Sequence, residues 1–192
     1  MGSEAHSQKS YRAGSAYVFV RQGTTWTLQK QLFASVSSTN AFFGSSVAIQ
    51  GNTIVVGSQN IDAVYIFLRS GTTWTEHQII IPEDGGQYNV YGQIIRVGFG
   101  GDVDIDGDTI VVGSPWDNGP PGGSAYIFRR SGATWSQFQK INADDGEQDD
   151  SFGYSIAVSG TSIIVGAYND DQDRYNMYNW YQGMGSAYVF GY

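Results

Sequence analysis

The sequence predicts an all-β fold of repeated four-stranded antiparallel units, and three observations lead there. One short phrase occurs four times, as Gly14-Ser-Ala-Tyr-Val-Phe19, Asp62-Ala-Val-Tyr-Ile-Phe67, Gly123-Ser-Ala-Tyr-Ile-Phe128 and Gly185-Ser-Ala-Tyr-Val-Phe190, and self-similarity at this period marks a repeat architecture. The landmarks around it keep constant distances: Tyr17, Tyr65 and Tyr126 are each followed nine residues later by Trp26, Trp74 and Trp135. Finally, no stretch of a dozen residues carries the apolar spacing of an amphipathic helix, whereas short β-branched runs ended by glycine are frequent.

Within a unit the first strand alternates apolar with small residues, as in Val47 and Ile49 or Ile156 and Val158, which sets the apolar side chains on one face. A short turn follows (Gln50-Gly-Asn52, Asp106-Gly-Asp108, Ser159-Gly-Thr161), with glycine supplying the positive φ that a tight hairpin wants. The second strand is a continuous β-branched run, Thr53–Val56, Thr109–Val112 or Ser162–Val165, as expected of a strand covered on both faces. The third strand is the Tyr-x-Phe phrase, and the fourth carries the Trp, joined to the third by Arg21-Gln-Gly-Thr24, Arg69-Ser-Gly-Thr72 or Arg130-Ser-Gly-Ala133. From Gly44, Gly100 and Gly153 it is seven residues to Gly51, Gly107 and Gly160, and six more to Gly57, Gly113 and Gly166. Length varies instead in the next connection, which runs 8, 13 and 22 residues to the following Tyr. Four-stranded meanders repeating at about 50 residues are the pattern of β-propeller blades. The repeated Tyr, Phe and Trp are then expected to pack between blades.

Phe43-Gly44 or Phe152-Gly153, followed by Val-Val-Gly57-Ser58 or Val-Gly166-Ala167 and then by Gly-Ser-Ala-Tyr, resembles the FG-GAP repeat of bacterial surface proteins and of integrin α propellers. The third unit is the fullest match, with Asp144-Asp-Gly146 ahead of Phe152-Gly153 and Gly185-Ser-Ala-Tyr188 after it. The resemblance covers nearly everything after Gly14. It implies a location outside the cell or on its surface and a role in binding. The chain divides into a polar tail, residues 1–12, and a repeat region, residues 13–192, with units at about 13–35, 42–81, 91–141 and 152–192. In the second unit Gly85 to Gly92 matches the seven residues of Gly146 to Gly153, so Tyr91-Gly92 competes with Phe99-Gly100 for the Phe-Gly position. A long first strand or an added bulge is expected there.

The 192 residues are 41% hydrophobic and 15% aromatic, enough for one domain with an ample core. The net charge of −8, with no basic cluster, speaks against a nucleic acid partner. No apolar run of membrane-spanning length occurs, no hydrophobic signal region is visible and residues 1–12 are polar, so membrane insertion is not expected. Without cysteine there is no disulfide, thiol nucleophile or thiolate zinc site. His6 and His77 are the only histidines and neither stands in a recognisable catalytic arrangement, so no enzyme is expected; a carboxylate-based hydrolase is the weakest alternative.

Two places attract chemistry. Asp102, Asp104, Asp106 and Asp108 surround Gly107 in the manner of a calcium loop, in which alternating carboxylates surround a hard cation. Integrin-type repeats carry such a loop between the same two strands. Its ninth position, where a further acid belongs, is Ile110, so calcium is expected to bind weakly or not at all, and no other cofactor is expected. On a strand Asp102, Asp104 and Asp106 share one face, which in a propeller lines the central channel, with water or a cation beside them. The other place is the 22-residue connection, where Tyr168, Tyr175, Tyr178, Trp180 and Tyr181 crowd together near Asp170, Asp171 and Asp173. Rigid amphipathic rings on a long loop suit recognition of a protein or glycan; packing of the loop on the propeller is the plain alternative. A second acidic group, Asp144, Asp145, Glu147, Asp149 and Asp150, reads as a solvated loop.

Strands for about three blades cannot close a ring of six or seven. The open edges and faces predict a partner: a second copy in a closed ring, a head-to-tail filament, or the rest of a longer propeller.

Overall fold

A computed structural model describes residues 12–36, 38–85, 96–117, 122–170 and 184–191. Thirteen strands run through them: β1 (Ala16–Gln22), β2 (Thr25–Leu32), β3 (Phe43–Gln50), β4 (Thr53–Ser58), β5 (Ala63–Ser70), β6 (Thr73–Ile80), β7 (Val103–Asp106), β8 (Thr109–Ser114), β9 (Ser124–Ser131), β10 (Thr134–Ile141), β11 (Phe152–Ser159), β12 (Ser162–Ala167) and β13 (Ser186–Gly191). They form four antiparallel sheets in simple sequence order: the hairpin β1–β2, the complete blades β3–β6 and β7–β10, and the three-stranded β11–β13. No closed ring is present among the described residues, in keeping with a partial propeller. No helix among them is long and apolar enough to cross a membrane.

The core lies between sheets rather than within them. One cluster joins Ala16, Val18 and Leu32 of the hairpin to Phe43, Tyr65, Phe67 and Trp74 of the first blade. A second joins Val55 and Ile66 to Phe99, Tyr126, Phe128 and Trp135, and a third joins Val111 and Ile127 to Phe152, Ile163 and Val165. Each interface sets the aliphatic face of one sheet against the aromatic face of the next. Strands β4 and β8 are covered on both faces and buried throughout, whereas β12 is buried on alternate residues because nothing described covers its outer face. Tyr17, Phe19 and Trp26 stand equally open on the hairpin. The expectation that all the repeated aromatics pack between blades therefore fails for this set: among the described residues no neighbouring sheet covers them as one covers their counterparts.

Phe99-Gly100 takes the Phe-Gly position of the second blade. The Phe99 ring meets Tyr126 and Phe128 edge-on at 5.3 and 5.9 Å, matching 5.2 and 6.1 Å for Phe43 and 5.4 and 6.0 Å for Phe152. Tyr91-Gly92 lies outside the described residues. The expected long first strand is corrected: β7 has four residues where β3 and β11 have eight. Two backbone bonds, Gly100 to Gly113 and Gly113 to Asp102, hold the segment before it. Glycine is required where neighbouring sheets touch, since a Cβ at Gly57 would lie 2.1 Å from the Gly100 carbonyl oxygen and one at Gly113 would lie 2.0 Å from that of Gly153.

Candidate functional site

Asp104 and Asp106 of β7, with Asp102 just ahead of it, look across to the first strand of the next blade and the turn after it. Asp102 accepts from the Ile156 N–H at 2.9 Å, Asp104 from the Val158 N–H at 2.8 Å and Asp106 from the Gly160 N–H at 2.7 Å. The other oxygens of Asp102 and Asp104 accept from the N–H groups of Val103 and Ile105. Gln50 bridges the preceding gap, donating to Asp106 at 2.7 Å and accepting from the Gly107 N–H at 2.6 Å. Three carboxylates thus form a ladder that supplies acceptors to backbone donors of β11 and of the turn that follows it. Hydrogen bonding of this kind stabilises the ionised form, and the N–H of Gly160 foremost, with the Gln50 amide, holds the Asp106 carboxyl below the usual carboxylate range.

Asp108 leaves this row. It turns outward at the hairpin and pairs with the Arg130 guanidinium, whose Nε donates at 2.7 Å. The four aspartates are consequently split between a ladder of three and an exposed ion pair. Among the described residues no group of three or more His, Asp or Glu is placed to hold a metal ion. The spare lone pairs of the ladder are what a cation would have to use.

The long loop is represented by its entry. Tyr168 is exposed and its ring lies 4.4 Å from that of Tyr154, which is exposed as well, in a tilted pair. Tyr175, Tyr178, Trp180 and Tyr181, together with Asp171 and Asp173, lie outside the described residues. Asp170 is buried and accepts from the Tyr188 hydroxyl at 2.9 Å, as does Asp145 at 2.9 Å. Asp150, in the acidic group read as a solvated loop, is buried too and accepts from the Glu147 N–H.

A second polar cluster escaped the sequence reading. Asp117 is buried beside Ser124, Tyr126 and Lys140, and the Lys140 ammonium sits 2.7 Å from Asp117 and 2.6 Å from Asp84. Burial foremost, then the charges of Asp117 and Asp84 and the hydrogen bonds to them, pushes the Tyr126 phenol far above its ordinary value. Burial would lower the Lys140 ammonium, but its bonds to the two carboxylates outweigh that and raise it. A phenol held neutral offers no base or nucleophile at neutral pH; the cluster fastens the loops around β9. The signal was available, since Asp117 and Asp170 each stand four residues after the repeated Gly113 and Gly166, and Asp84 and Asp145 each precede a glycine.

In the first blade Asp62 occupies the position of Gly14, Gly123 and Gly185 with φ of 53°. Its carboxylate accepts from the Phe99 N–H at 3.0 Å and so ties the first blade to the second. Burial outweighs these hydrogen bonds and raises its pKa.

No curated protein matches the chain in a sequence comparison. The FG-GAP repeat profile matches it three times, at residues 26–67, 74–128 and 135–190. Each match begins at the Trp of a fourth strand and ends on the third strand of the following sheet, so the sequence repeat straddles two sheets and spans the interface between them. With most of its length matched in this way, the chain belongs to the FG-GAP repeat family.

Proposed function

We propose that the chain is a non-enzymatic binding module, working outside the cell or at its surface, that recognises a protein or a glycan through its variable blade loops. The FG-GAP repeat supports a propeller-like, generally non-catalytic frame of a kind typically found outside cells. The observation that carries the reading is the exposed Tyr154–Tyr168 pair at the mouth of the longest connection. Solvent-facing rings already in contact with each other offer apolar area with little ordering left to do on binding. Glycan and peptide arrays probed with and without a chelator test this. Binding that persists in chelator and weakens about tenfold in Tyr168→Ala, worth about 1.4 kcal/mol, is expected. Hydrolysis of an arrayed glycan, or a ligand whose affinity ignores Tyr168→Ala, would overturn it.

A further inference from the structure

Strands β1 and β13 carry the same six-residue phrase, Gly14–Phe19 and Gly185–Phe190, 171 residues apart, which is three repeat units. Both are third strands of a blade. Among the described residues β1 has a fourth strand and no second, while β13 has a second strand and no fourth. The hairpin β1–β2 and the sheet β11–β13 are therefore overlapping halves of one blade, and each holds a copy of the strand they share.

The exposed apolar side chains point to how the halves combine. On β3, Val47 and Ile49 are each 61% exposed, while their counterparts Val103 and Ile105 are 4% and 7% exposed because β4 of the preceding blade covers them. On β12, Ile164 is 48% exposed, while the corresponding Val55 and Val111 are fully buried. Phe138 of β10 is exposed at the position where Gln29 of β2 receives the indole N–H of Trp74 at 2.9 Å. Gly166 matches Gly57 and Gly113, over which a Phe-Gly carbonyl sits, yet the atoms nearest to a Cβ there all belong to Ser155 of its own sheet.

We propose that two copies of this chain exchange strands: the β1–β2 hairpin of one copy takes the place of β13 beside β12 of the other, forming a composite blade β11–β12–β1–β2. The replacement is isosteric, because Ala16, Tyr17, Val18 and Phe19 match Ala187, Tyr188, Val189 and Phe190. In that blade the second copy's Tyr17 reaches Asp145 and Asp170, Phe19 packs on Phe152, and Trp26 lies over Phe138. On its other face Ile164 covers the second copy's Val47 and Ile49, and the second copy's Gly44 carbonyl seats over Gly166. One operation covers all of these exposed groups, using the interface already present three times inside each chain. Applied reciprocally, it gives a two-fold dimer with six complete blades, a closed and isologous arrangement.

Sedimentation equilibrium at micromolar concentration should give twice the chain mass of 20.9 kDa. The absence of cysteine makes a clean trap. Ser162 pairs with Gly191 on β13, and Val20 is the equivalent of Gly191 on β1. Singly substituted Val20→Cys and Ser162→Cys chains, mixed and oxidised, should form a cross-linked heterodimer, while neither alone should cross-link. A chain lacking residues 186–192 should remain dimeric, since β13 is the displaced strand. Monomers, open-ended oligomers, a dimer without the cross-link, or loss of the dimer on removing β13 would each overturn the proposal.

Discussion

Trp74 and Trp26 occupy the same position of the repeat and should respond to truncation with very different costs. Trp74 is 4% exposed, inside the cluster that joins the hairpin to the first blade, whereas Trp26 is 64% exposed. A buried Trp side chain covers roughly 200 Å², and at about 25 cal/mol per Å² its removal forfeits about 5 kcal/mol as an upper figure. The lost hydrogen bond from the indole to Gln29 at 2.9 Å adds little, because Gln29 can turn to water. The guanidinium of Arg69, 5.4 Å from the ring centroid, adds about 0.5 kcal/mol at an exposed site. Partial relaxation around the cavity brings the expected cost of Trp74→Ala to about 3–5 kcal/mol. Trp26→Ala, measured on chains dilute enough to be monomeric, should cost under about 0.5 kcal/mol, as surface substitutions do. Urea unfolding followed by tryptophan fluorescence and circular dichroism gives both values. A cost for Trp74→Ala below about 1 kcal/mol would refute the view that inter-sheet packing carries this fold.

Asp104→Ala should destabilise by about 1–3 kcal/mol, since it strips acceptors from the Ile105 and Val158 N–H groups between the second and third blades; a neutral result in urea unfolding would dismiss the carboxylate ladder as structure. Calcium titration calorimetry should detect weak binding or none at Asp102 to Asp108, because the ninth-position acid is Ile110, and tight binding abolished by Asp104→Ala would put a cation in the second blade. At alkaline pH stability should fall. Tyr126 keeps its proton in the folded state while the unfolded phenol ionises near about pH 10, so above that pH the folded chain binds more protons and loses stability as pH rises. Lys140, also raised, acts in the same direction: its contribution is complete below the unfolded value and lost as pH climbs through the folded one. Tyr126→Phe should flatten the decline of unfolding free energy above pH 10, and an unchanged slope would place its origin elsewhere.

The strand content, the order of the meanders and the identity of the turns were legible in the sequence because each depends on neighbours a few residues away. Alternation selects a face, β-branched runs favour extended backbone, and glycine permits the turn. The spacing of Tyr17 to Trp26, Tyr65 to Trp74 and Tyr126 to Trp135 was legible for the same reason, and it placed Trp74 and Trp135 in the core. What the identical spacing could not convey is that Trp26 lies open. That depends on whether another sheet stands against β1 and β2, a relation between segments far apart in the chain. The row Asp102, Asp104 and Asp106 shows the same division. Their common face follows from a period of two, but their partners, the N–H groups of Ile156, Val158 and Gly160, belong to a strand and its turn more than fifty residues away. Only the tertiary structure brings that strand alongside, and so only it decides that these carboxylates serve backbone donors. Local chemistry set the elements of this protein, and the approach of one sheet to the next set which of their side chains are buried, bonded or left facing water.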